Sequence, residues 1–140
     1  MILPDINLLV YAHRHDAPQH TQAAETLQKL ADSLSPFALT SFVLTGFLRI
    51  VTNQRIFVEP SLLDDALLFI ENLLELDHCR VVEPGERHWE IMSIMLRESK
   101  ATGNLVSDAY LAAVAVEHGC TLLTNDADFR RFPELRVQKF

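Results

Sequence analysis

Two cysteines are all that the 140 residues contain, and Cys79 and Cys120 sit in no CxxC or Cys/His spacing. That is no disulfide framework; a pair of small, buried, reduced hydrophobes is expected instead. No apolar run approaches the ~18 residues that would span a membrane. The opening Met1-Ile-Leu-Pro-Asp5 lacks a basic segment and a long apolar stretch, so no secretion signal and a cytoplasmic location are expected. Repeats, linkers and low-complexity segments are missing too, which with roughly 150 residues per domain predicts one domain over residues 1–140. Basic residues are the minority, 12 Lys and Arg against 19 Asp and Glu, a net charge of −7. Taken alone, that balance argues against a nucleic-acid partner. With 49% hydrophobic and 22% charged residues, the chain is otherwise an ordinary globular one.

Short apolar runs alternate with helical patterns. Strands are predicted at Ile2-Leu3, at Pro36 to Thr40, at Arg80 to Val82, at Thr121 to Thr124 and near Val137. Helices are predicted from Asn7 to His13, Gln19 to Leu34, Phe42 to Thr52, Ser61 to Leu76, Glu86 to Ala101 and Leu105 to His118. Thr40-Ser41 and Ser61 are the expected N-caps, and Gly119 closes the last helix. Trp89, with Met92 and Leu96, has helical spacing and is expected in the core. Strands separated by helices point to a three-layer α/β fold, a short, mostly parallel sheet flanked by helices.

In such sheets ligands bind beyond the carboxyl ends of the strands. Asp5 follows the first strand, and Asp126 and Asp128 follow the run Thr121-Leu-Leu-Thr124. Asp108 begins the Ala-rich helix that flanks the same edge. Any one of them is equally well a turn or cap residue. An EF-hand is excluded at Asn125–Asp128, where the loop Gly and the closing Glu are missing. Four carboxylates in one crevice repel unless a cation joins them, and Mg²⁺ or Mn²⁺ prefers such oxygen ligands. An acidic crevice without His or Cys ligands suggests phosphodiester chemistry.

Asp5-Ile-Asn-Leu-Leu-Val-Tyr-Ala resembles the opening of PIN-domain ribonucleases, particularly the VapC-type toxins of toxin–antitoxin pairs. Gly103-Asn-Leu-Val-Ser-Asp-Ala-Tyr-Leu-Ala-Ala, followed by Thr124-Asn-Asp-Ala-Asp-Phe-Arg-Arg-Phe, is similar to that family's C-terminal signature. The resemblance runs nearly the full length, and Phe47-Leu-Arg-Ile-Val-Thr-Asn and His88-Trp resemble one mycobacterial-type branch. It implies a Mg²⁺- or Mn²⁺-dependent endoribonuclease toxin that cuts structured RNA, tRNA or rRNA, and is inhibited by a cognate antitoxin. Asp5, Asp108 and Asp126 are the implied metal ligands, and Asp128 stands beside them in the catalytic set. Asn7, Ser41 (or Thr40) and Thr124 are implied to orient ligands or substrate. The attacking water would be activated by the ion.

The chain departs from the family at Gly46, where many PIN proteins carry a Glu. Either one ion suffices or the site is impaired, and the alternative reading is a non-catalytic RNA- or protein-binding module. On this reading Gly46→Glu is expected to tighten Mn²⁺ binding. A phosphotransfer receiver domain shares the α/β pattern but needs paired acids at the first strand and a mid-chain phosphoacceptor Asp, both missing here.

His13, His15, Asp16 and His20 form a cluster expected to be a solvated loop rather than a transition-metal site. The helices at Phe42–Thr52 and Leu62–Leu74 carry apolar residues nearly all round, which predicts exposed apolar surface covered by a second copy or by an antitoxin helix. A homodimer is the expected form. Finally, nine acids and two arginines lie between Glu59 and Glu90, so that segment alone holds the −7 and the rest balances. Arg14, Arg49, Arg130 and Arg131 are therefore candidate RNA contacts, and the net charge does not exclude RNA.

Overall fold

The computed structural model describes all 140 residues. Five three-residue strands form one sheet: β1 (Ile2–Pro4), β2 (Phe37–Leu39), β3 (Cys79–Val81), β4 (Thr121–Leu123) and β5 (Arg136–Gln138). Their spatial order is β3-β2-β1-β4-β5, and every neighbouring pair is parallel. Helices α1 (Ile6–His13) and α2 (His20–Asp32) link β1 to β2; α3 (Ser41–Val51) and α4 (Leu63–Leu74) link β2 to β3. Helices α5 (His88–Ser99) and α6 (Asn104–Glu117) return to β4, and a 3₁₀ turn over Ala127–Arg131 leads to β5.

Right-handed crossovers decide the layers. From β1 to β3 the chain steps one way across the sheet, then jumps back past β1 to β4. The first four helices therefore cover one face and the last two the other. α1 packs on α2 and α3, α3 also on α4, and α5 on α6. This is the α/β, three-layer fold expected, with a sheet wholly rather than mostly parallel. The chain reverses direction between β1 and β4, so the crevice of an open sheet falls at their carboxyl ends.

The core sits between sheet and helices. Phe37, Ala38 and Leu39 are buried throughout, as a central strand covered on both faces requires. On α6, Ala109 and the run Leu111–Ala115 are buried almost all round, because small side chains let that helix lie close to its neighbours. Both thiols are free and pushed up by burial, which suits the inert role expected of them. No helix is long and apolar enough to cross a membrane.

Several local expectations need correction. Trp89 is 69% exposed; α5 buries His88, Ile91, Met92 and Met95 instead. His88 belongs inward because its Nε2 lies 3.0 Å from the Tyr110 carbonyl oxygen, so its polar atom has a partner. Ser61 does not cap α4, whose cap position is Leu62; its hydroxyl meets His13 Nε2 at 2.9 Å and Arg14 Nη1 at 3.1 Å. His13 is not solvated either. It is half-buried, edge-on to the rings of Phe47 and Phe69. The apolar excess of α4 leaves Leu63 and Leu68 exposed, whereas α3 absorbs its own by burying Val43, Phe47 and Val51.

Candidate metal centre and cleft

A cleft of about 830 Å³ opens at the carboxyl edge of β1 and β4. Asp5 reaches it by ending β1 and capping α1. Its Oδ1 accepts the Leu8 N–H at 2.7 Å, and its Oδ2 accepts the Thr124 hydroxyl. That hydroxyl oxygen also accepts the Asp126 N–H at 3.0 Å. One threonine at the end of β4 thus ties the two strand-end aspartates together. Asp126 in turn caps the 3₁₀ turn, its Oδ1 accepting the Asp128 N–H at 2.9 Å. Asp108 comes from the opposite side, on the second turn of α6, after Gly103 at φ 60° has turned the chain into that helix.

Asp108, Asp126 and Asp128 each bring an oxygen within 4.8 Å of the others. The three acids of the expected ligand set, Asp5, Asp108 and Asp126, line the same cleft, and Asp128, expected beside them, is within that distance of two. Asp5 is 3% exposed, and both its oxygens already hold hydrogen bonds. Oxygens at that separation suit a single hard divalent ion, whose ligands lie at roughly 2.0–2.6 Å. The electrostatics agree. Burial, and then the charges of Asp126 and Asp128, push Asp108 up to about 6. Asp5 is also raised to about 6, by burial first, against the lowering effect of its Thr124 and Leu8 hydrogen bonds. Acids held this far up lack a positive neighbour, which a cation among them would supply.

The other side of the cleft is α3 with the start of α1. Asn7, Ser41 and Arg49 all line it. Arg14 does not: its guanidinium holds both oxygens of Asp16 and the Ser61 hydroxyl, and lies 4.1 Å from the centre of the Phe57 ring. Arg130 and Arg131 are exposed on the 3₁₀ turn, with Arg131 Nε 3.8 Å from Asp128 Oδ1. Gly46 has a packing reason. A Cβ there would lie 2.4 Å from Ile6 Cδ1, so α1 fills the space that a side chain on α3 would need.

One residue of this edge escaped the sequence reading. Glu83 follows β3 as Asp5 follows β1, and its carboxylate accepts the Ser41 N–H at 2.8 Å and the Ser41 hydroxyl at 2.7 Å. Neither Thr40 nor Ser41 caps α3 with its own side chain; the cap comes from the neighbouring strand end. Counting Glu83 with the acidic segment 59–90 hid it, although its place two residues after a strand was the available signal. Glu83→Gln is expected to cost about 1 kcal/mol, the scale of a lost cap. That is about 3 °C in melting temperature for a chain of this size. An unchanged melting curve would remove Glu83 from this role.

Comparison with known proteins gives a consistent picture. A sequence profile of the PIN domain matches residues 2–135. Ribonuclease VapC43 of Mycobacterium tuberculosis is 41% identical over 136 residues, covering 97% of this chain and 92% of that protein. Ribonuclease VapC25 of the same organism is 39% identical over the same span, covering 96% of its own length. Among solved structures, VapBC2 of Rickettsia felis bound to a promoter DNA fragment aligns with a TM-score of 0.71 at 19% identity, over 99% and 98% of the two chains. VapC20 of Mycobacterium tuberculosis, a Sarcin-Ricin loop cleaving toxin, aligns at 0.67 and 18%, over 97% and 99%. At those identities the two structures speak for the fold.

Proposed function

The chain belongs to the PIN-domain family, among its VapC ribonucleases, and from that premise we propose a divalent-metal-dependent endoribonuclease toxin that cuts structured RNA, tRNA or rRNA, in the cytoplasm. The observation that carries this reading is that Asp5, Asp108 and Asp126 line one cleft, with Asp128 bringing an oxygen within 4.8 Å of those of Asp108 and Asp126. Asp5, Asp108 and Asp126 are the proposed ligands of Mg²⁺ or Mn²⁺, with Asp128 beside them. When bound, the ion polarises the scissile phosphate, lowers the pKa of the attacking water and stabilises the leaving oxygen.

The chain's own groups do the rest. Thr124 holds Asp5 and Asp126 in fixed relation, which preserves the spacing of the acids. Glu83, by anchoring Ser41, holds the first turn of α3 against the same edge. Asn7 faces the cleft beside Asp5 and can give its amide to a phosphate oxygen. The acidic segment 59–90 lies chiefly on α4, β3 and the start of α5, and Arg49 within the cleft is free of it.

A cognate antitoxin is the proposed regulator, supported by the VapBC assemblies among the structural neighbours. The exposed Leu63 and Leu68 of α4 are apolar surface that such a partner or a second copy would cover, and a homodimer is the proposed form. The test is direct. Total cellular RNA incubated with the purified chain should be cut at discrete sites with Mn²⁺ or Mg²⁺ and stay intact in EDTA. Equal cutting in EDTA would overturn the metal dependence; no cutting under any condition would favour a binding module.

A further inference from the structure

The cleft continues beyond the carboxylates along α3. Ser41, Thr45, Gly46, Arg49 and Ile50 line it at spacings of four, five, eight and nine residues from Ser41, a single helical stripe. From Ser41 to Arg49 the rise along the helix is about 12 Å, eight residues at about 1.5 Å each. Arg49 is the only Lys or Arg that lines the cleft. It is exposed and takes no part in the three ion pairs of the chain, Arg14–Asp16, Arg87–Glu90 and Arg131–Asp128. Ile56 lines the same cleft while remaining 53% exposed.

The loop that carries Ile56 is held in place. Its far end is fastened by the Ser61 N–H to the Val51 carbonyl at 2.8 Å, and by Arg14, which bonds Ser61 and stacks on Phe57. A free guanidinium and exposed apolar surface lining the same cleft as the acids have the chemistry of a phosphate seat with an apolar contact for a base. We propose that Arg49 with Ile50 and Ile56 forms a subsite for single-stranded RNA in the cleft that holds the acids. Arg49 takes a backbone phosphate and the two isoleucines take the face of an unstacked base. This rests on the ribonuclease reading above. A duplex fits less well, because it presents a second row of phosphates and the remaining charged groups of the cleft are Asp5, Asp108 and Asp126.

Arg49 also stands in the last turn of α3, where any cation complements the helix dipole. A salt titration separates the two roles. A short fluorescein-labelled single-stranded RNA of mixed sequence is titrated with the Asp108→Asn chain in Mg²⁺, and anisotropy gives Kd at several salt concentrations. Adding Arg49→Gln should reduce the slope of log Kd against log salt by about 0.7, the loss of one phosphate contact on a single strand. Arg49→Lys should restore the slope, and Ile56→Ser should weaken binding with the slope unchanged. An unchanged slope for Arg49→Gln, with or without a lower melting temperature, overturns the subsite, as does an equal loss on blunt duplex RNA. If the wild type cuts cellular RNA while the slope does not move, the subsite alone fails; if it neither cuts nor binds RNA, both readings fail.

Discussion

Replacing Asp108 with Asn is expected to stabilise the metal-free protein while weakening its response to divalent ions and lowering its RNA cleavage about a thousandfold. In the folded chain Asp108 is held at about 6, above its ordinary 3.8, by burial and then by Asp126 and Asp128. A raised folded pKa means that the associated stability is fully present below about pH 4 and is lost as pH rises through about 6. At about pH 7.5 the metal-free wild type therefore carries the full cost of that charge. Two pKa units correspond to about 3 kcal/mol, but Asp108 is only half-buried, and solvent screening reduces this to about 1 kcal/mol. The Asp108→Asn protein should then melt about 3 °C above the wild type in EDTA at neutral pH, with the gap closing towards pH 4. Asp5, raised in the same direction, remains in both proteins and cancels from the comparison.

Magnesium should reverse the order. An ion bound only by the folded state stabilises it in proportion to RT ln(1 + [L]/Kd), and the variant has lost one of three converging oxygens. Cleavage should fall by about a thousandfold, since several kcal/mol of transition-state stabilisation depend on the ion. Differential scanning fluorimetry across pH, with and without Mg²⁺, reads the first two effects, and gel analysis of RNA reads the third. A variant that melts below the wild type in EDTA, or gains as much from Mg²⁺, would remove Asp108 from the metal centre.

The acids were legible because of where strands end. Asp5 and Asp126 each follow a short apolar run, and a parallel sheet brings such positions to one edge regardless of side-chain detail. Asp108 was legible from the Ala-rich pattern of α6, which fixes the start of the helix. The fixed relation of Asp5 to Asp126 was not, because it depends on the Thr124 hydroxyl bonding Asp5 while its oxygen accepts the Asp126 N–H, a contact between strand ends 119 residues apart. Trp89 shows another limit. Around α5, the stripe with Trp89 and Met92 and the stripe with His88, Ile91, Met92 and Met95 overlap, and periodicity alone cannot rank them. The bond from His88 to the Tyr110 carbonyl, 22 residues away, settles the face, and no local pattern announces it. Arg14 is similar: its partners Phe57 and Ser61 lie more than forty residues on, so a basic residue beside the site became a structural one.

Gly46 offers the second large effect, because its helix position and its packing pull in opposite directions. In an open helix Gly→Ala gains about 1 kcal/mol. At position 46 the new Cβ would stand 2.4 Å from Ile6 Cδ1 and 3.0 Å from Ile6 Cγ1, so Ile6 must move out of its place against α3. Gly46→Ala is therefore expected to lose the helical gain, and Gly46→Glu, with more atoms to place, to lower stability by about 1–3 kcal/mol. Ile6→Val removes Cδ1, the atom in closest conflict. In that background Gly46→Ala should become stabilising, giving a coupling energy of about 1 kcal/mol in a double-mutant cycle. The same background is the one in which a Glu at 46 can enter the cleft as a further carboxylate and tighten Mn²⁺ binding, measurable by calorimetry; with Ile6 intact the substitution should mainly cost stability. A Gly46→Ala protein that melts above the wild type would show that Ile6 yields freely, and the absence of a side chain there would again need a functional reason. If the cycle behaves as expected, Gly46 marks a close contact between α1 and α3 at Ile6.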